Sequence, residues 1–393
     1  IDNLKEDLTE SQIVCKGSFL VSDPRDQFVN KSEICIKPKS TKEVSRILKE
    51  ANKFMVQIIP VGGSTGLVGG QIANKSYQVT LSLEKLNDIF FSKDSNLLNV
   101  QSGAILSNIK KLALKNERLF PLSLASEGSC QIGGNLATNA GGLNVIKYGN
   151  IRDLCIGLEA VLPNGEILSS MKRLKKNNTG FDLKNLLIGS EGTLGVITSA
   201  ILKTFPIPID PISVFFSIKH PSDALFVYEK ISCILQERIL AFELIKITGI
   251  TFIEEAGISI SYPFTKKTNW MILMDLDINL GSVSLRESVE QILYDLVLDN
   301  KIIEVFFANN INQRNKFWEI RELIPDANRK KGSICSNDIS VPIEKIPEFI
   351  VKLDETLFSF SNDILVNCFG HIGDGNLHYN IFPRSEKARL GLE

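Results

Sequence analysis

Three glycine-rich stretches, all before residue 200, constrain this chain more than any other feature: VGGSTGLVGG at 61–70, EGSCQIGGNLATNAGGLNVIKYGN at 127–150 and LLIGSEGTLGVIT at 186–198. Glycine lets a backbone turn through positive φ and approach another group closely, so successive N–H groups can face one concavity and hold an anion. One such loop is as readily a plain tight turn. Three within one half of a chain are much harder to dismiss as turns alone. They carry almost no Lys or Arg, so an anion bound here is held by backbone N–H groups, as a dinucleotide pyrophosphate would be. The first loop follows a strand-like run but matches neither the GxGxxG fingerprint nor a Walker A loop.

A chain of 393 residues with 44% hydrophobic content is too long for one ordinary core and can fill two or three. Lys+Arg number 44 against 45 Asp+Glu, a formal net charge of -1, so no global field gathers nucleic acid or an anionic membrane. The cluster KRLKK from Lys172 to Lys176 reads as a solvated loop. The seven cysteines are scattered and odd in number, without CxxC spacing, which favours neither a disulfide framework nor a thiolate zinc site. No apolar stretch approaches the ~20 residues of a membrane helix, and IDNLKEDLTE is not a signal peptide. The composition fits a reducing, cytoplasmic setting, at most peripheral at the inner face of a membrane.

The first half reads as mixed α and β. STKEVSRIL from Ser40 begins with an N-cap residue and continues with helical periodicity, QIIPV at 57–61 is a β-branched run, and SNIKKLALKN at 107–116 is helical. The character changes after Phe205-Pro206-Ile207-Pro208, since each proline restricts the residue before it to extended conformations. From about 210 to 360, strands (SVFFSIK, WMILMDLDI) alternate with helices (ALFVYEKISCILQE, SVSLRESVEQILYDLVLD). This predicts an α+β layer with one sheet face covered by helices.

Near the end, FGHIGDGNLHYN places two of only three histidines, His371 and His378, seven apart around a glycine turn. The two arms of such a turn can bring both imidazoles to one side, and zinc takes two or three such nitrogens plus a carboxylate. The alternative is two surface histidines sharing a turn. Asn380 lies two residues past His378 and so on the same strand face.

PVGGSTGLVGG, PLSLASEGSCQIGGNLATNAGG, YGNIRDLCIGLEAVLPNG, NNTGFDLKNLLIGSEGTLGVIT and GHIGDGNLHYN occur in the order seen in FAD-linked 2-hydroxy-acid dehydrogenases. The chain resembles the branch of D-2-hydroxyglutarate and D-lactate dehydrogenases. The resemblance implies a two-subdomain α+β FAD-binding domain of the vanillyl-alcohol-oxidase type over 1–207 and an α+β substrate (cap) domain with an antiparallel sheet over 208–360. A C-terminal segment carrying the histidine pair begins at 361. It implies a pyrophosphate loop at Gly62, Gly63, Ser64, Thr65 and Gly66, and a second flavin segment at Gly128, Ser129, Gly133, Gly134, Asn135, Asn139 and Gly142. A third falls at Gly189, Glu191, Gly192 and Thr193, with Ile197 offering backbone groups to the ring. Thr65 stands where some relatives attach flavin covalently, so the expected FAD is non-covalent.

On the substrate side the resemblance makes His371 and His378 ligands of a divalent metal, zinc, and Asn380 a substrate contact. It also puts Arg321 of FWEIREL where a guanidinium clamps the substrate carboxylate bidentately. The implied substrate is a small 2-hydroxy acid. By analogy the electron acceptor is an electron-transfer protein or a quinone, and a homodimer is compatible. Two departures stand out. Relatives acting on D-2-hydroxyglutarate carry a Thr and a Lys for the distal carboxylate where this chain has Pro325 and Ser336, with Lys330 or Lys331 as substitutes, so a monoacid such as D-lactate or glycolate competes. The family's A-E-H-G element, with its third metal ligand and base, does not occur before Glu393. The expectation is therefore of an impaired or inactive product, an FAD-binding remnant being the alternative reading.

Overall fold

The computed structural model describes residues 4, 8–174, 176–208, 211–278 and 283–392; Lys175 of the lysine cluster and Ser282 at the head of one expected helix lie outside them. The chain divides into two compact units, residues 1–144 with 148–207 and residues 145–147 with 208–393.

The first unit contains two main sheets. Strands Ile13–Cys15, Ile34–Ile36, Val79–Ser82 and Ile58–Val61 lie side by side in that order, the last three parallel. Parallel strands need a crossover connection, and helix Thr41–Lys53 supplies the one from Ile34–Ile36 to Ile58–Val61, two places along the sheet. Its N-cap is Ser40, whose hydroxyl accepts from the Glu43 N–H, satisfying one of the orphan donors of the first turn. Val44, Ile47 and Leu48 form its buried stripe, at the i, i+3, i+4 spacing of one helix face. The second sheet is antiparallel, in the order Ile89–Ser92, Leu97–Gln101, Val196–Lys203, Cys155–Val161, Ile167–Ser170. Its core packs Leu98, Val100, Leu158 and Ala200 with Ile109 of helix Leu106–Lys115 and Leu136 of helix Ile132–Ala137.

The second unit is built on one antiparallel sheet of seven strands, in the order Glu304–Phe307, Ile212–Ile218, Trp270–Leu276, Ile239–Lys246, Ile364–Gly370, Asn376–Pro383, Cys335–Ser340. The segment after 360 thus supplies two strands to this same sheet. Alternation along each strand separates the faces. One face is apolar: Val214, Phe216, Phe242, Leu244, Met274, Leu377 and Tyr379 pack with residues of helices Pro221–Leu235, Val283–Leu298 and Ile346–Phe360. Each such side chain contributes roughly 1.5–3 kcal/mol of burial. The other face carries Glu243, Asp275, Asn367, His378 and Asn380, by the registers Ala241↔Asp275, Asn367↔Asn380 and Phe369↔His378. Against it lies the 21-residue helix Ile311–Lys331, together with helix Ile247–Glu255. Burying carboxylates and amides there costs free energy unless each finds a partner, and those partners define the site.

Candidate functional site

In the first unit the three glycine-rich segments come together. The turn after strand Ile58–Val61 holds Gly62 to Gly66, with Ser64 left-handed at φ 53. A β-carbon on Gly63 would collide with the Ser129 carbonyl, so only glycine permits this approach of the first loop to the second. Gly128 and Ser129 precede helix Ile132–Ala137, which contains Gly133, Gly134 and Asn135, and Asn139 and Gly142 follow it. Gly189, Glu191, Gly192 and Thr193 form the turn after helix Leu183–Leu187; it docks on the second segment through Gly189 N–H to Leu136 O at 3.1 Å and Glu191 N–H to Ala137 O at 2.8 Å. Ile197 sits at a register shift in its strand's ladder.

This cradle has the unfilled valences of a ligand site. No acceptor among the described residues takes the N–H groups of Gly63, Ser64, Thr65 or Gly66. The side-chain oxygens of Gln131 and Asn135, both buried, also lack partners, which is costly unless a ligand or water supplies them. A β-carbon on Gly134 or Gly128 would meet only open space. A pyrophosphate and polar ring fit this donor set, so FAD fits. Arg152 was not singled out from the sequence, yet its N–H donates to Asn139 at 3.2 Å and its guanidinium to the carbonyls of Asn185 and, at 2.7 Å, Ile188. It fastens the third segment to the second.

In the second unit the cluster centres on Glu243, a carboxylate with no solvent exposure. Its Oε2 accepts from Arg321 Nε at 2.7 Å, and its Oε1 lies 2.5 Å from His371 Nδ1. The Arg321 guanidinium stacks 4.6 Å from the Phe369 ring centre. The rings of His371 and His378 lie 5.3 Å apart, and Asp338 approaches His378 Nδ1 at 3.1 Å. Each imidazole therefore has a carboxylate on Nδ1, and its Nε2 is uncommitted among the described residues. Burial alone would raise the Glu243 carboxyl, but His371 and Arg321 outweigh it and hold it at about 2. Burial works against a charged His371 too, yet Glu243 prevails and raises its pKa. For His378, burial, reinforced by Arg321 and His371, lowers the pKa and favours the neutral ring.

Arg321, expected to meet a substrate carboxylate, is buried with its inner nitrogen on Glu243, and its two outer nitrogens take no acceptor among the described residues. The Asn380 amide, on the same face, is likewise uncommitted. Lys331, a candidate for a second carboxylate, is tied to Glu255 at 2.8 Å. Pro325 lies inside the helix and removes the N–H that would bond the Arg321 carbonyl. Trp318 anchors the same helix through 3.0 Å contacts of its indole N–H with Asp275. Among the described residues no three His, Cys, Asp or Glu side chains form a metal-binding group, so the metal expected at His371 and His378 is not shown by the geometry. Sequence reading missed Glu243 altogether, although a lone acid within the apolar run ILAFELIK was a visible signal, because an unpaired carboxylate there would be too costly.

Comparison with known proteins agrees with both halves. Residues 32–170 match the FAD binding domain family, and residues 227–390 match the C-terminal domain of FAD linked oxidases. A mitochondrial D-2-hydroxyglutarate dehydrogenase of Arabidopsis thaliana is 33% identical over 99% of this chain and 70% of its own length. A putative mitochondrial D-lactate dehydrogenase of Schizosaccharomyces pombe is 33% identical over 94% of this chain and 71% of its own. Among solved structures, alkyldihydroxyacetonephosphate synthase superposes with a TM-score of 0.75 at 19% identity, covering 100% of this chain and 77% of that one. That last likeness concerns fold alone. The chain belongs to the FAD-linked oxidoreductases of the vanillyl-alcohol-oxidase-type fold, in the family whose curated relatives are named D-2-hydroxyglutarate and D-lactate dehydrogenases.

Proposed function

We propose that the protein oxidises a D-2-hydroxy acid of the D-lactate, D-2-hydroxyglutarate or glycolate class to the 2-oxo acid, with FAD held non-covalently in the first unit. The observation that carries this reading is the buried Glu243 cluster, which leaves outer nitrogens of Arg321 and His371 uncommitted beside His378 and Asn380. Bound FAD supplies the acceptor for the hydride leaving the substrate Cα. Residues Gly63 to Gly66 hold the pyrophosphate by main-chain N–H groups, and Gln131 and Asn135 satisfy polar atoms of the cofactor.

The outer nitrogens of Arg321 bind the substrate carboxylate as a planar fork, and Asn380 orients the acid through its amide. Neutral His378 keeps a lone pair on Nε2, which would either hold a metal ion or, with no metal there, accept the hydroxyl proton as the hydride leaves. His371 and His378 would hold a divalent metal, zinc by the chemistry of two imidazoles, and such an ion would supply the Lewis acidity that lowers the hydroxyl pKa. Ser336 is the cross-strand partner of Asn380 and offers no cation, and Lys331 is engaged with Glu255; both favour a monoacid over a diacid. Reoxidation is assigned to an electron-transfer protein or quinone by analogy. No helix among the described residues is long and apolar enough to cross a membrane. The compartment is the cytoplasm or, by the names of the relatives, the mitochondrion.

The test is dye reduction by the purified protein with D-lactate, L-lactate, D-2-hydroxyglutarate and glycolate. Reduction with D-lactate and not L-lactate supports the reading, and equal rates with both enantiomers would sink the D assignment. Loss of the rate on chelation and its return with zinc supports the metal; indifference to chelation removes it.

A further inference from the structure

Glu243 is the only carboxylate within the apolar run of strand Ile239–Lys246, and it has no solvent exposure. An ion pair placed there for stability alone would be a poor choice, since well-packed apolar residues of similar volume do as well or better. What distinguishes it is which atoms it takes. From Arg321 it takes Nε, the inner nitrogen, and from His371 it takes Nδ1, the ring atom next to the backbone attachment. Both residues thereby keep their outer nitrogens for something else.

A contrasting case lies on the same sheet face. Asp275 accepts an outer nitrogen of Arg314 at 2.6 Å, and the Arg314 Nε is left buried without a partner among the described residues. Asp275 thus consumes the useful end of its arginine in holding the helix down. Glu243 does the reverse, and the Phe369 ring fixes the guanidinium plane that results.

Resting on the proposed oxidation, we infer that Glu243 is a positioning residue for it: one buried carboxylate sets the direction of the Arg321 fork and the tautomer of His371 together. The Arg321 Nε–H is always a donor, so one carboxylate oxygen must accept from it. The other oxygen then holds the His371 proton on Nδ1 and leaves the Nε2 lone pair free. The acid's carboxylate and its hydroxyl-side ligand are therefore registered to each other through a group that touches neither.

Glu243→Gln separates this role from simple packing. An amide has one acceptor oxygen, which Arg321 claims, so its NH2 must face His371 Nδ1 and drive the ring proton to Nε2. With three histidines in the chain, nitrogen-15 labelling of histidine resolves the change, read at a pH where the neutral ring dominates. The expected result is a switch of the His371 proton from Nδ1 in the wild type to Nε2 in Glu243→Gln, with KM for D-lactate raised about tenfold or more, as loss of an outer-shell partner does. An unchanged tautomer and unchanged KM in the folded variant overturn the inference. If Glu243→Gln does not fold, Glu243→Asp keeps the charge and withdraws it by one methylene; a raised KM at full FAD content supports the positioning role, and an unchanged KM overturns it. A wild-type protein that oxidises none of the acids defeats the proposed function, while the tautomer result still decides what Glu243 does.

Discussion

The turn after strand Ile58–Val61 offers a ligand its main-chain N–H groups, whereas the sheet face around Glu243 offers the outer nitrogens of side chains held from behind by a buried carboxylate. The two designs fail differently. A backbone cradle tolerates most changes of side chain but not a β-carbon where two loops touch. A side-chain cluster tolerates nothing that unbalances its charges, because each buried ion relies on the others.

Changes at single atoms should separate the two designs. Gly63→Val has the largest expected effect: the collision with the Ser129 carbonyl should leave the purified protein nearly free of FAD, read as the ratio of flavin to protein absorbance. Full flavin content in that variant would break the cradle account. Glu243→Ala strands Arg321 as an unpaired buried cation and should cost about 3–5 kcal/mol in urea unfolding, with the first unit still binding flavin.

The same carboxylate carries a pH signature. Its folded pKa of about 2 lies below the ordinary 4.5, so its stabilisation is full above pH 4.5 and is lost as pH falls toward 2. His371 is shifted the other way, upward from 6.5, so its contribution is full below 6.5 and fades as pH rises through the folded value. The cluster should stabilise most between those limits, and the acid limb of the stability profile should flatten in Glu243→Ala.

Ser336→Lys adds an ammonium beside Asn380 and should raise the preference for D-2-hydroxyglutarate over D-lactate by about fivefold, the worth of a partly exposed ion pair near ~1 kcal/mol. The smallest effect concerns thiols outside both designs. Cys15, Cys233 and Cys335 are exposed and should react with an alkylating reagent in the native protein. Burial pushes Cys155 and Cys368 up to about 12, so these two should react only after unfolding.

Legibility followed the same division. Glycine loops are local in sequence, and the freedom for positive φ or close approach is written into the residue itself, so the three segments stood out unaided, while the role given to each residue in them rested on the family resemblance. The cluster is assembled by strand pairing across more than 100 residues, and nothing local to FWEIREL says that Arg321 meets Glu243. Strands Ile239–Lys246 and Cys335–Ser340, which bring Glu243 and Asp338 to the histidines, went unread for different reasons. The first is a continuous apolar run that periodicity cannot assign. The second is CSNDIS, a polar edge strand that reads as loop. Ser40 and the helix after it, by contrast, carried their own start signal.

The most direct measurement is the flavin spectrum of the purified protein, mixed without oxygen with D-lactate, D-2-hydroxyglutarate or glycolate. A hydride delivered to the cofactor bleaches the band near ~450 nm whatever the later electron acceptor. The account predicts a yellow protein bleached by at least one of these acids, and bleached more slowly in Glu243→Gln. A yellow protein that none of them bleaches would contradict it.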